Sequence, residues 1–250
     1  MATNGAGTAE FFSPQLFAHG RVLYRYPGSD ACRFSPRLSY SLIEHIPTSP
    51  SAERPSVLWD PFCGTGMIVS IACLFFPKKF QTIIASDIAP EAVECAGKNL
   101  SLVSSVEAAN KRLKYIRGLR GMHAKACRRW GEVAEYLEAL MPLIEQTQRR
   151  APTLRAFTAS AFALRPGIEG DLHFVGDVPY GRTSHVGGGR QLTALLDRIA
   201  EAYPNATMRF VMPRDAGEAV LRETTTVATK AIPCRDGRLI VGGRPKGPNA

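Results

Sequence analysis

Short apolar runs alternate with breaker residues along most of the chain, in the order strand, turn, helix. Val57 to Trp59 is a β-prone run preceded by Pro55. It leads into Asp60-Pro61-Phe62-Cys63-Gly64-Thr65-Gly66 and a second apolar run, Met67 to Phe76, which Pro77 stops. This pattern predicts a buried strand, a glycine turn and a helix with Thr65 as its N-cap. A second strand is expected over Phe80 to Ile88, ending at Asp87. A helix follows over Pro90 to Leu102, with Ala92, Val93, Ala96 and Leu100 at helical spacing. Upstream, Ser35-Pro36 opens a helix running to about Ile46, and Phe17 to Tyr26 reads as a short strand or a capping segment. Pro47 to Pro55 is a Pro/Ser-rich linker, and residues 1–12, small and polar, are expected to be disordered. In the second half, strands are expected over Leu154 to Thr158, Leu172 to Asp177 and Thr207 to Met212, with a helix over Gln191 to Tyr203. Thr225 to Ile232 and Arg238 to Val241 form a hairpin across Asp236-Gly237, and the basic tail Gly242 to Ala250 is expected to fray. Strands alternating with helices indicate an α/β fold with a mostly parallel sheet.

The alternation is interrupted between residues 104 and 150, where charge is dense and the strand signal vanishes. Two or three helices are expected there, the last with Val133, Tyr136, Leu137, Leu140 and Leu143 on one side. A doubly wound unit needs only a short connection at this point, so the segment is an insertion. The domain division that follows is an N-terminal segment with a capping helix over 1–50 and a main domain over 51–250, with the insertion at about 104–150.

Composition sharpens the picture in two respects. The chain has 31 basic and 22 acidic residues, a formal charge of +9, which favours a polyanionic partner. The longest apolar run is too short to span a bilayer and no basic start precedes an apolar core, so a cytoplasmic protein without membrane contact is expected. The six cysteines are scattered without a Cys-x-x-Cys pair, which fits reduced thiols better than a disulfide scaffold or a zinc site. No metal ligand set stands out.

The chemistry is concentrated at strand ends. Asp60 closes the first strand in front of the glycine turn, where it would repel a phosphate and suits an ammonium or sulfonium. Asp60-Pro61-Phe62-Cys63-Gly64-Thr65-Gly66 resembles motif I of S-adenosylmethionine-dependent methyltransferases, in the D-P-x-x-G-[ST]-G form frequent among base methylases. That resemblance implies that Asp60 holds the methionine ammonium and that Gly64 and Gly66 border the cofactor. An acid at the end of strand two, here Asp87, takes the ribose hydroxyls in such folds. Asp177-Val178-Pro179-Tyr180-Gly181 resembles motif IV, [DN]-P-P-[YF], of methylases acting on base nitrogens. An acid and a Pro-held carbonyl accept from the N–H edge of a base, and Tyr180 offers a stacking face. Rate then comes mostly from alignment, without covalent intermediate or metal. The loop Arg182 to Arg190, with His185 and Gly187 to Gly189, reads as a mobile lid.

Taken together, the chain resembles the AviRa family of rRNA methyltransferases that confer resistance to avilamycin-type orthosomycins. The likeness spans Gly20 to Ile46, both motifs, Ile84-Ala85-Ser86-Asp87, Lys98-Asn99-Leu100, the insertion and Arg182-Thr183-Ser184-His185. It implies a Rossmann-like, seven-stranded methyltransferase fold closed by the terminal hairpin, and methyl transfer from S-adenosylmethionine to a guanine of large-subunit rRNA by a monomer. The implied cofactor residues are Asp60, Pro61, Cys63, Gly64, Thr65, Gly66, Asp87, Ile88, Ser160 and Ala161, and the implied catalytic residues are Asp177, Pro179 and Tyr180. Lys111, Arg112, Lys114, Arg117, Arg120, Arg128 and Arg129 of the insertion, with Arg182, are expected to contact RNA, with Tyr115, His123 and Trp130 interleaved. One position departs: Ser160 stands where an aspartate holding the adenine amino group is expected, at a cost of about 1 kcal/mol in affinity. Alternatives are a methyltransferase acting on a non-RNA substrate and a catalytically silent RNA-binding protein. An NAD dehydrogenase does not fit the glycine spacing or Asp60.

Overall fold

The computed structural model describes residues 22–27, 34–47, 54–119, 124–163, 168–179, 188–234 and 236–246. Helix α1 (Pro36–Glu44) begins where Ser35 accepts a hydrogen bond from the Leu38 amide and Pro36 occupies the first turn. Strand β1 (Ser56–Asp60) is buried along its whole length, as a parallel strand covered on both faces must be. Then follow α2 (Met67–Phe75), β2 (Thr82–Asp87), α3 (Pro90–Ser104), α4 (Val106–Leu119), α5 (Ala124–Arg150), β3 (Thr153–Thr158) and β4 (Asp171–Asp177). The chain continues through α6 (Gly188–Ala202), β5 (Thr207–Met212), α7 (Arg214–Glu223), β6 (Val227–Pro233) and β7 (Leu239–Pro245).

The seven strands form one sheet in the order β3-β2-β1-β4-β5-β7-β6. Strands β1 to β5 run parallel, and β7 is antiparallel to both β5 and β6. The order reverses between β1 and β2 on one side and β4 on the other, which puts a crevice at the carboxyl end of β1. Side-chain alternation divides the interior into two cores. Leu58 and Ile83 face α2, α3, α4 and α5, while Val57, Trp59 and Phe174 face α6. Trp59 stacks on Phe174 at 5.2 Å, and its indole N–H donates to Ser86 Oγ at 2.9 Å, so β1 is tied sideways to β2 and β4.

The segment expected to be an insertion forms α4 and α5, and it does more than carry charge. Ala109, Leu113 and Ile116 of α4 and Val133, Leu137, Leu140 and Ile144 of α5 join the first core. Burial of each large apolar side chain stabilises the fold by about 1.5–3 kcal/mol. Thr147 donates from its hydroxyl to Cys73 O at 3.0 Å, which docks α5 against α2. The expected seven-stranded, mostly parallel α/β architecture is therefore observed.

Local expectations fare unevenly. Thr65 is not the N-cap of α2: Gly66 holds that position at φ +81° with no side-chain cap. Residues 22–27 contain no strand, although Val22 and Leu23 are buried. Gly242 to Pro245, expected to fray, belong to β7 and pair with β6, with Gly243 opposite Thr229. Residues 1–12 and 48–53 lie outside the described residues. Among the described residues no helix is long and apolar enough to cross a membrane.

Candidate functional site

Asp60 is the last residue of β1 and is 1% exposed. Its Oδ1 accepts from the Phe62 amide at 3.0 Å, while Oδ2 is buried without a hydrogen-bond partner. Burial, with the nearby carboxylates of Asp87 and Asp177, raises its pKa well above the usual carboxylate range. A buried carboxylate left half-paired is costly, and a cationic hydrogen-bond donor in the crevice would remove that cost. Glycine on the neighbouring strand makes room for it: a Cβ at Gly176 would stand 3.3 Å from Asp60 Oδ1 and from the Phe210 ring.

The turn after Asp60 is folded onto the end of β2. The Cys63 amide donates to Ser86 O at 3.0 Å, and the Gly64 amide to Asp87 Oδ2 at 2.9 Å. Asp87 Oδ1 accepts from the Ala89 amide at 3.0 Å. Each Asp87 oxygen keeps lone-pair capacity for a hydroxyl while its direction is fixed. The two glycines serve different ends. A Cβ at Gly66 would lie 3.0 Å from Ala96, so close packing demands glycine there. At Gly64, φ is +50° and a Cβ would meet nothing within 4 Å, so the backbone borders open space. Pro61 and Cys63 are buried, and Thr65 is half-buried. Burial and the adjacent acids hold the Cys63 thiol well above its ordinary pKa, which leaves it protonated and unreactive.

Ile88, next to Asp87, is 64% exposed, an apolar face standing open at the same strand end. The Ala159 amide donates to Asp87 O at 2.9 Å, bringing the end of β3 alongside. Ser160 is there, its hydroxyl oxygen accepting from the Phe162 amide at 3.2 Å, and Ala161 is buried beside it. Ser160 is thus committed to a local turn and lacks the charge of an aspartate.

Asp177 ends β4, across from Asp60. Burial pushes its pKa up to about 6, and Arg238 opposes that rise. Arg238 reaches from the β6–β7 turn and donates from Nη1 to Asp177 Oδ1 at 3.1 Å. The Val178 amide donates to Val211 O at 3.0 Å, so the residue between Asp177 and Pro179 is anchored to β5. Pro179 is half-buried. Tyr180, Arg182 and His185 lie outside the described residues. So does most of the expected lid, except that Gly188 to Arg190 open α6.

The residues expected to contact RNA are not used alike. Lys111, Lys114 and Arg117 are exposed on α4, with Tyr115, 58% exposed, among them. Arg117 is shared with Glu138 at 2.7 Å, and Arg128 with Glu132 at 3.7 Å. Arg112 is turned inward: its Nε donates to Val22 O at 3.3 Å, and its guanidinium lies 4.3 Å from the Tyr24 ring centroid and 5.5 Å from that of Tyr115. It anchors the N-terminal segment. Arg120 and the side chain of Arg129 lie outside the described residues.

Two participants escaped the motif reading. Asn99 accepts from the Tyr24 amide at 2.6 Å and donates from Nδ2 to Tyr24 O at 3.1 Å and to Thr65 O at 2.7 Å, which ties the glycine turn to the N-terminal segment. Its signal was a polar residue on the apolar face of α3, in phase with Ala92, Ala96 and Val103. Arg238 had no local signal, since its partner is 61 residues away. Among the described residues no group of three or more His, Cys, Asp or Glu is placed to hold a metal ion.

Comparison with known proteins agrees with this geometry. A family model described as rRNA methyltransferase AviRa matches residues 12–229. The 23S rRNA (guanine(2535)-N(1))-methyltransferase of Streptomyces viridochromogenes is 29% identical over 201 residues, covering 75% of this chain and 76% of that protein. The solved structure of the rRNA methyltransferase AviRa from Streptomyces viridochromogenes superposes with a TM-score of 0.69 at 25% identity, over 93% of this chain and 92% of that one. A putative methyltransferase solved with S-adenosylhomocysteine shares the fold alone, with a TM-score of 0.50 at 10% identity over 93% of this chain and 56% of that one.

Proposed function

Given that the chain belongs to the AviRa rRNA methyltransferase family and is an S-adenosylmethionine-dependent methyltransferase, we propose that it methylates N1 of a guanine in large-subunit (23S) rRNA and thereby protects the ribosome from avilamycin-type orthosomycins. The observation that carries the reading is the half-paired Asp60 carboxylate facing Asp177 across the carboxyl ends of β1 and β4. The choice of N1 rests on the Streptomyces relative's reaction.

The residues present fit the cofactor. Asp60 Oδ2 is an acceptor for the methionine ammonium, Gly64 borders the space the cofactor would occupy, and Asp87 is oriented for the ribose hydroxyls. Ile88 offers an apolar face to the adenine, with Ser160 and Ala161 alongside. Pro61, Cys63 and Thr65 shape the turn from beneath. Bound there, S-adenosylmethionine supplies a methyl group activated by its sulfonium charge.

Asp177 has the chemistry the acceptor requires. The N1 of neutral guanine bears a proton, and its lone pair is delocalised into the ring, so it becomes nucleophilic only as the proton leaves. A carboxylate whose pKa is near 6 is a stronger base than an ordinary one, yet remains ionised at neutral pH. Asp177 accepts the N1–H edge, the carbonyl chain held by Pro179 takes the neighbouring amino group, and Tyr180 stacks on the extruded base. The exposed Lys111, Lys114 and Tyr115 of α4, with Arg117, Arg120, Arg128, Arg129 and Arg182, contact the RNA, whereas Arg112 is reserved for the N-terminal segment. On this reading 1–50 is an N-terminal segment whose helix α1 caps the methyltransferase domain of 51–250. On the same reading the protein acts as a monomer on its rRNA substrate in the cytoplasm.

Incubation of the protein with S-adenosylmethionine and large-subunit rRNA tests the reading. Mass spectrometry of the nucleosides should show 1-methylguanosine, and reverse transcription should stop at one site because an N1 methyl blocks Watson–Crick pairing. Methylation without such a stop would move the acceptor to another atom, and no methylation of RNA would overturn the reading.

A further inference from the structure

The motif IV acid is held from outside its own motif. Arg238 lies in the turn between β6 and β7, beyond residue 229 where the family match ends. Its side chain is only 17% exposed, unusual for an arginine in a hairpin turn. The guanidinium is directed at both ends. Nε and Nη2 donate to Asp236 Oδ2 at 3.0 and 2.7 Å, and Nη1 donates to Asp177 Oδ1 at 3.1 Å. The Asp236 Oδ1 also accepts from the Arg238 amide at 3.2 Å, so the turn and the side chain brace each other. The Phe34 ring, just before α1, lies 5.5 Å from the guanidinium carbon. A planar fork clamped on one carboxylate has little freedom left in where it presents its remaining donor.

We propose that Arg238 is a positioning residue for methyl transfer, which fixes Asp177 in its ionised form with one oxygen occupied, so that the carboxylate meets the guanine N–H edge in a single orientation. The inference rests on the function proposed above. Orientation matters because the N1 proton and the methyl group must move in one encounter. The proton passes from N1 to the Asp177 carboxylate, and the N1 electron pair forms the new N–CH3 bond. The bond between methyl and sulfur breaks with its pair left on sulfur, which discharges the sulfonium. Asp177 then gives the proton to solvent. A carboxylate turned or protonated at that moment leaves N1 without a nucleophilic pair.

Among the described residues, the charged and titratable groups facing Asp177 are Asp60 from β1, Asp236 and Arg238 from the turn, and Cys234 just after β6. Arg238 is the cation of this set. Its removal leaves Asp177 buried beside Asp236 and Asp60, all of which favour the protonated acid. The sign is fixed: without Arg238 the acid limb of the rate moves to higher pH.

The test compares wild type, Arg238→Gln and Arg238→Lys in single-turnover methyl transfer to large-subunit rRNA between pH 5 and 9, with melting temperature and S-adenosylhomocysteine affinity measured beside it. In the wild type the limb is expected near pH 6. In Arg238→Gln it moves up by about one unit, with a rate loss of roughly fivefold at pH 6 that narrows at pH 9. Arg238→Lys keeps the charge without the fork, so it restores the limb but not the full plateau. Cofactor affinity is expected to stay within a few-fold throughout. An active wild type with an unchanged limb in Arg238→Gln overturns the inference and leaves the proposed function standing. A uniform rate loss at every pH that follows the melting temperature assigns Arg238 a merely structural role and also overturns it. A wild type that methylates no RNA removes the proposed function, and the inference with it.

Discussion

Strands β1 and β4 carry a buried polar cluster at each end, and the two are finished differently. At the amino end His173 Nδ1 meets Thr207 Oγ1 at 2.7 Å and Nε2 meets Ser56 Oγ at 2.9 Å. Both ring nitrogens are partnered, and burial lowers the His173 pKa to about 4, so the ring stays neutral. At the carboxyl end, four residues further along each of the same strands, Asp60 keeps one oxygen without a partner and Asp177 is propped by an arginine from another part of the chain. A histidine, a serine and a threonine packed together look like candidate chemistry by residue type. Their mutual satisfaction marks a fastening between strands. The carboxyl end is left incomplete within the chain, which is what a ligand site requires.

The comparison breaks most visibly if one end does the other's work. Asp60→Asn should reduce methyl transfer by roughly 10- to 100-fold, the order of a lost charge-assisted contact, without lowering the melting temperature. Asparagine keeps Oδ1 as an acceptor for the Phe62 amide, and the substitution relieves a buried, half-paired carboxylate. His173→Ala should do the reverse: about 3 kcal/mol of stability lost in urea unfolding, from the cavity and two stranded hydroxyls, with S-adenosylhomocysteine affinity unchanged.

The pH dependence sharpens the contrast. The folded His173 pKa, about 4, lies below the ordinary histidine value of about 6.5. The unfolded chain therefore binds the proton more readily, and the contribution, on the order of 3 kcal/mol, is present above pH 6.5 and lost as pH falls through about 4. Asp177 has the opposite sign. Its raised pKa, about 6, favours the fold below pH 3.8, and that contribution is lost as pH rises through about 6. Urea unfolding from pH 4 to 7 should show the His173 dependence vanish in the alanine variant. The smallest effect separates the glycines. Gly66→Ala should destabilise by about 2 kcal/mol, from its strained φ and the contact with Ala96. Gly64→Ala should cost about 1 kcal/mol in stability, from φ alone, but weaken cofactor binding because its Cβ enters the open space.

Much of this was legible in the sequence where the cause is local. A parallel strand buried on both faces reads as an apolar run, and acids at strand ends stand out against it, so β1, β2, β4 and the positions of Asp60, Asp87 and Asp177 follow from pattern. The hairpin was marked by Asp236-Gly237, with Gly237 at φ +85°. What failed depended on contacts distant in the chain. Arg112 has the composition of an RNA contact, but Tyr24, far earlier in the chain, takes its guanidinium. Thr65 has the residue type of an N-cap, but the turn needs a left-handed residue next to Met67, and Gly66 takes the position. Helix α7 buries only Gly217 and Val220, too narrow a stripe to announce itself. Gly242 to Pro245 look like a loose tail until β6 supplies their hydrogen bonds.

The measurement that bears most directly on the incomplete carboxyl end is calorimetric titration of wild type and Asp60→Asn with S-adenosylhomocysteine and with 5′-methylthioadenosine, which lacks the amino-acid portion. The account predicts that the wild type prefers S-adenosylhomocysteine by roughly 10- to 100-fold, the value of a hydrogen bond to a charged group, and that Asp60→Asn binds the two nearly alike. A wild type indifferent to the amino-acid portion, or a variant that keeps the preference, would contradict it.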